Sequence, residues 1–173
     1  MENESTITPE EILPSLFRSN MLRMILTKHI ELNKAADMKA NMLMTAASIV
    51  VAVVIAGFGA MDFIGSAIIL LTSLIAIVFA ILVVLPKPYH GDKKTKINFM
   101  YFRSFSALSE DEYVSSFMDL MKNKEALYEQ YMRDIYRYGN VTLSKKYRLL
   151  LIGLITFLSG LFLGGVYFLI SFL

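Results

Sequence analysis

Asp37 and Lys39 stand at the threshold of one uncharged run, and Lys146, Tyr147 and Arg148 stand at the threshold of another. These are the residues of the chain best placed for chemistry. A carboxylate about to enter an apolar environment is unfavourable unless paired or hydrated, so Asp37 is expected to take a partner among Lys39, Lys146 and Arg148. Such a pair can gate a ligand or a helix bundle, or it can be a snorkelling interfacial charge. A second concentration lies between residues 87 and 148, which hold eight of the nine tyrosines, Phe99, Phe102, Phe105 and Phe117, and twelve Lys and Arg. Rings and cations together can hold a nucleotide, the ring stacking on the base and the cation meeting the phosphate. The same residues also make an interfacial aromatic belt over a small core, with the charges as topology signals and head-group contacts, and composition by itself leans to this reading.

Other chemistry is poorly provided for. The chain has no cysteine, which removes thiolate metal sites, disulfides and cysteine nucleophiles. His29 and His90 are too few for an ordinary zinc site. No phosphate loop, dinucleotide-binding glycine pattern or nucleophile elbow is present. The expectation is a protein that is not an enzyme, with no catalytic residue, metal or cofactor.

The elements that must position these residues are membrane spans. Of the 173 residues 55% are hydrophobic, more than a soluble domain usually carries. The surplus falls in three uncharged runs, 42–61, 63–85 and 149–173, each long enough to cross a bilayer's hydrocarbon core. Five Lys and Arg precede the first run, twelve lie between the second and third, and none lies between the first two or after the third. The positive-inside rule then puts residues 1–41 and 86–148 in the cytoplasm, and the Met61-Asp62 turn and the C-terminus outside. No cleavable signal peptide is apparent, so the first run reads as an internal anchor.

Local signals complete the all-α architecture: three transmembrane helices with a cytoplasmic helical region built from extensions of the spans and an inserted amphipathic helix. Thr8-Pro9-Glu10-Glu11 predicts a helix start, Pro14 a kink or restart, and nothing thereafter breaks the pattern before Gly57. Pro86 and Pro88 end the second span. Residues 97–108 read as a short helix or loop, and Ser109-Glu110-Asp111-Glu112 as a capping box opening a helix that Gly139-Asn140 stops. Thr142 or Asn140 is expected to open the last helix. Gly160 and Gly164 form one small-xxx-small step and Ala52, Ala56 and Ala60 another, suited to packing within the chain or between subunits. No ionisable residue lies inside a span, so any pore would be lined by Thr45, Ser48, Thr72, Ser73, Thr156 and Ser159.

Three stretches, in order, resemble the Pycsar transmembrane effector family. Residues 31–41, with Ala36-Asp37-Met38-Lys39-Ala40, are similar to its AD-x-KA entrance to a span. Asn98 to Phe102, followed by Leu108-Ser109-Glu110-Asp111-Glu112-Tyr113, is similar to its N-x-x-x-F and L-x-E-E-Y stretch. Lys145-Lys146-Tyr147-Arg148-Leu149 running into Phe157, Gly160 and Leu161 is similar to its closing span. The resemblance implies a bacterial antiphage system in which a cyclase makes a cyclic pyrimidine mononucleotide, cCMP or cUMP, on infection. The membrane effector responds by impairing the inner membrane, and the infected cell stops growing. The leading hypothesis is a homo-oligomer whose partners are the lipid bilayer and the nucleotide from a neighbouring cyclase, with no nucleic acid. Candidate ligand contacts are Asp37, Lys39, Lys96, Asn98, Phe102, Arg103, Lys146, Tyr147 and Arg148. The alternatives are a membrane-anchored module that recruits a cytoplasmic partner and a small channel subunit.

Overall fold

The structure, a computed structural model, describes residues 9–57, 62–85, 97–99 and 102–172, without the side chains of 9–15, 102, 103 and 172. The described residues form α1 (Pro9–Ala56), α2 (Phe63–Val84), α3 (Phe102–Phe105), α4 (Glu110–Lys122), α5 (Lys124–Arg137), a π-helical turn (Tyr138–Leu143) and α6 (Ser144–Phe172), with no strand among them. The chain divides into two compact units. One, the head, contains α1 as far as Glu31 together with α3, α4 and α5. The other, the bundle, contains α1 from Leu32 onward, α2 and α6. The residues preceding the spans, 32–41 and 141–148, thus belong with the spans.

Among the described residues three helices are long and apolar enough to cross a membrane. Helix α1 runs through Pro14 without ending, at the loss of the one amide bond that position would make to the carbonyl four residues earlier. Asp62 caps α2, its Oδ2 accepting from the amides of Ile64 at 2.9 Å and Gly65 at 3.2 Å. Reading Met61-Asp62 only as a turn missed this role, while Met61 itself lies outside the described residues. At the far end the backbone leaves the helix at Leu85, with ψ 129°, as a residue before proline must.

Buried positions in the bundle recur mostly at steps of three and four. They are Ala36, Ala40, Leu43, Ala47 and, seven residues on, Val54 on α1, and Gly65, Ser66, Ile69, Ser73, Ala76, Ala80 and Val83 on α2. In α6 and the turn before it they are Leu143, Lys146, Leu150, Gly153, Phe157, Gly160 and Gly164. A repeat averaging 3.5 residues keeps one seam inward and favours left-handed crossings of about 20°. Small residues let the backbones close up. A Cβ on Gly160 would collide with Thr72 and one on Gly164 with Ile69, so this step packs α6 on α2 within the chain. A Cβ on Gly153 would stand 3.0 Å from Phe79 Cβ and 3.2 Å from Leu43 Cδ2, which marks the meeting point of all three helices. Ala52 and Ala56 are exposed instead, and Ala60 lies outside the described residues. Large apolar side chains cover the outside, with Leu71 62% and Phe162 70% exposed, a surface suited to lipid rather than water.

In the head, Ser109 Oγ accepts from the Glu112 amide at 3.3 Å while Glu112 Oε2 accepts from the Ser109 amide at 2.9 Å, the expected capping box. The helix it opens differs from the expectation in two places. Asn123 ends α4 and caps α5, its side chain accepting from the Ala126 amide at 3.1 Å, because asparagine offers the backbone a local alternative to the helical ladder. Gly139-Asn140 does not stop the chain, and neither Asn140 nor Thr142 starts a new helix. These residues lie in the π turn that joins α5 to α6. Gly139 serves close approach, since a Cβ there would lie 3.1 Å from His29 Cε1, and the His29 ring stacks on Tyr138 at 6.2 Å between centroids. Helix α5 also meets the first part of α1 through Tyr128 and Ser19, 3.3 Å apart.

Candidate functional site

The bundle brings four of the candidate residues together. Lys146 lies on the inward seam of α6, and its Nζ donates to Asp37 Oδ1 at 2.5 Å. Helical geometry selects this partner. Lys39 is two residues beyond Asp37 and so roughly 200° around α1, and Arg148 is likewise roughly 200° from Lys146 on α6. The pair is unequally buried, with the lysine side chain 9% exposed and the aspartate side chain 33%. Attraction between the two charges offsets the desolvation of the ammonium, and the exposed part of the carboxylate remains open to a further donor.

Tyr147, next to Lys146, extends the cluster. Its hydroxyl donates to the Leu32 carbonyl at 3.1 Å, fixing the ring against α1. Lys39 Nζ sits 5.9 Å from the centroid of that ring, within cation–π range. Three charges and one ring thus share one place, with net charge of one positive, where α1 and α6 begin their apolar runs. An exposed ammonium beside an aromatic face suits an anion attached to a flat ring, and the partly exposed carboxylate suits an amine or hydroxyl donor. Arg148 is exposed and takes no part in these contacts.

Asn98 has a different environment, in the head. It is 7% exposed, its Nδ2 donates to Asp134 Oδ1 at 2.6 Å, and its Oδ1 accepts from Gln130 Nε2 at 3.4 Å. Its amide donates to Ser104 Oγ at 2.9 Å, and Gln130 also donates to the Ile97 carbonyl at 3.3 Å. The Asn98 side chain therefore ties residues 97–99 to α5, and a ligand at this residue would compete with Asp134 and Gln130. Sequence reasoning missed these two partners, although their spacing of four places them on one face of α5. Phe99, Phe105, Tyr113 and Phe117 pack on one another, with Phe105 and Tyr113 centroids 4.6 Å apart and Tyr113 stacked on Phe117 at 5.7 Å. For these four rings the small-core reading holds. Lys96 lies outside the described residues, as do the side chains of Phe102 and Arg103, whose backbone forms the start of α3. Among the described residues no group of acidic, histidine or cysteine side chains is arranged to hold a metal ion.

A family model described as the Pycsar effector protein domain matches residues 21–171, nearly all of the chain, from Met21 in the first third of α1 to the last turn of α6. No curated protein and no solved structure matches it.

Proposed function

From the premise that this chain belongs to the Pycsar effector protein domain family, and so acts as an effector in antiphage defence, we propose that it is a non-enzymatic effector of the bacterial inner membrane, triggered by a cyclic pyrimidine mononucleotide, cCMP or cUMP. The head and residues 32–41 and 141–148 face the cytoplasm, the C-terminus faces outward, and the protein works as a homo-oligomer. The observation that carries this reading is the cluster of Asp37, Lys39, Lys146 and Tyr147 at the polar end of two spans. A cyclic phosphate carries one negative charge and a pyrimidine one flat face, and Lys39 over Tyr147 offers one counterpart to each. The phosphate also competes with Asp37 for Lys146, loosening the tie between α1 and α6 from its cytoplasmic end. Greater affinity for the loosened arrangement shifts the population toward it, and the inner membrane loses integrity.

Isothermal calorimetry on detergent-solubilised protein is expected to register saturable binding of cCMP or cUMP that Lys39→Ala and Tyr147→Ala each weaken. No heat with either nucleotide would remove the direct-sensor reading. One observation favours a second reading, a membrane-anchored module recruiting a cytoplasmic partner. Val114, Met118 and Met121 leave an apolar stripe of α4 exposed, at 52%, 56% and 53%. Stoichiometric capture of a cytoplasmic protein, lost in Met118→Glu, without membrane leakage would decide for it.

A further inference from the structure

The hydroxyls within the apolar helices fall into three groups. Thr72 and Thr156 donate back to carbonyls one turn earlier, Thr72 to Ile68 at 2.8 Å and Thr156 to Ile152 at 2.9 Å, which is how hydroxyls are normally accommodated in lipid. Thr45, Ser48 and Ser159 lie on the outer surface of the bundle. Ser66 and Ser73 do neither: each is 1% exposed, and neither Oγ has a hydrogen-bond partner among the described residues. Buried polar groups are nearly always satisfied, so two orphans on one helix call for a reason. They are seven residues apart and therefore stand on one flank of α2, two turns from each other.

That flank is not the one locked to α6. The α6-facing side of α2 is marked by Gly65 against Phe168, Ile69 against Gly164 and Thr72 against Gly160. At about 100° per residue, Ser66 and Ser73 lie roughly 80–100° around the helix from Gly65 and roughly 40–60° from Ile69, beyond Ala80 at the far edge of the buried arc. The core cluster around Ala80 includes Ala40, Leu43 and Ala47 of α1 as well as Leu150 and Phe157 of α6; because the α6 contacts mark the opposite edge of the buried arc, α1 is the helix left to cover Ser66 and Ser73. One seam of the bundle is thus closed by glycine contacts, and the other holds two hydroxyls whose hydrogen-bonding capacity is unmet while it stays closed.

We propose that the α1–α2 seam is where the bundle opens, and that Ser66 and Ser73 then line a path for water and small ions. The inference rests on the effector reading above and supplies what that reading lacks, the route through the membrane. Opening hydrates both hydroxyls, so their desolvation disfavours the closed state and favours the open one. The α2–α6 pair moves as one piece, because its glycine contacts leave no slack.

Two experiments test this, one of which needs no trigger. The double variant Ser66→Ala and Ser73→Ala removes the unmet groups at nearly constant volume, so the detergent-solubilised protein should melt a few degrees higher than wild type. An unchanged or lower melting temperature overturns the proposal. In the second, single-cysteine variants Ser66→Cys and Ser73→Cys exploit the absence of native cysteine. Each is reconstituted in phosphatidylethanolamine–phosphatidylglycerol vesicles with a trapped dye, and a charged, membrane-impermeant methanethiosulfonate is added with and without cCMP or cUMP. Under dye release both cysteines should react roughly tenfold faster or more than in tight vesicles, with Ser48→Cys unchanged. Dye release without faster labelling overturns the seam and leaves the effector reading standing. If neither nucleotide releases dye, the nucleotide trigger fails, and the melting experiment decides the seam.

Discussion

Removing Asp37 should cost far more than removing its partner. In Asp37→Ala the Lys146 ammonium, with its side chain 9% exposed, loses the carboxylate that compensates its burial. Breaking a fully buried pair costs about 3–5 kcal/mol. Because Asp37 is one-third exposed, water already screens part of the interaction, and the expected loss falls to about 2–3 kcal/mol. The converse variant, Lys146→Met, leaves a carboxylate that water can reach and refills the space with an apolar chain, so it should cost about 1 kcal/mol or less. With both changes no buried charge remains, and the protein should return to within about 1 kcal/mol of wild type. The cycle is read from thermal unfolding in mild detergent, where a loss of 2–3 kcal/mol in a chain of this size lowers the melting temperature by roughly 5–10 °C. Equal losses in the two single variants, or a double variant that sums them, would refute the assignment of Lys146 as a buried cation dependent on Asp37.

The glycines of α6 should separate sharply. Gly160→Ala and Gly164→Ala force α6 away from Thr72 and Ile69 and should each cost about 1–3 kcal/mol, whereas Gly165→Ala, with nothing within 4 Å, should be neutral or slightly stabilising in the same melts. In the head, the Ser109 amide and hydroxyl hold the Glu112 carboxyl below its ordinary pKa. A depressed carboxylate contributes stability above its unfolded pKa and loses it as pH falls through the lower folded value. Helicity of wild type should therefore exceed that of Glu112→Gln near neutrality, and circular dichroism should find the gap closing in acid. Asn98→Ala leaves Asp134 and Gln130 without their partner and should destabilise the head by about 1–3 kcal/mol. Hydrogen exchange should show early opening of α5 while the bundle amides stay protected.

The long-range features were legible because they rest on patterns that span many residues. Three uncharged runs, an unbroken helix up to Gly57, the Ser109 capping box and the need of Asp37 for a partner all follow from period, length and desolvation. The sequence alone offers Asp37 three partners, Lys39, Lys146 and Arg148, yet the angle between residues two apart on a helix excludes the other two once Lys146 faces inward. What stayed hidden depends on tertiary neighbours. Gly139 reads as a helix stop in sequence and instead admits the ring of His29, and Gly160 reads equally as a subunit contact until Thr72 is found opposite it. Asn98 looks like a ligand contact in a polar-aromatic stretch, but two α5 side chains hold both ends of its amide. Asn123 is legible in the sequence, since asparagine is a favoured N-cap and Glu125 places a carboxylate in the first turn that it opens.

The most direct test of the account is dye release from vesicles of defined lipid composition carrying the purified protein, with cCMP or cUMP added from the face on which Lys39 and Tyr147 are exposed. Release that saturates with nucleotide, and that Lys39→Ala abolishes without preventing insertion, is the predicted result. Release that ignores both nucleotides, or that is the same in Lys39→Ala, would contradict the claim that the Asp37–Lys146 mouth senses the messenger and loosens the bundle.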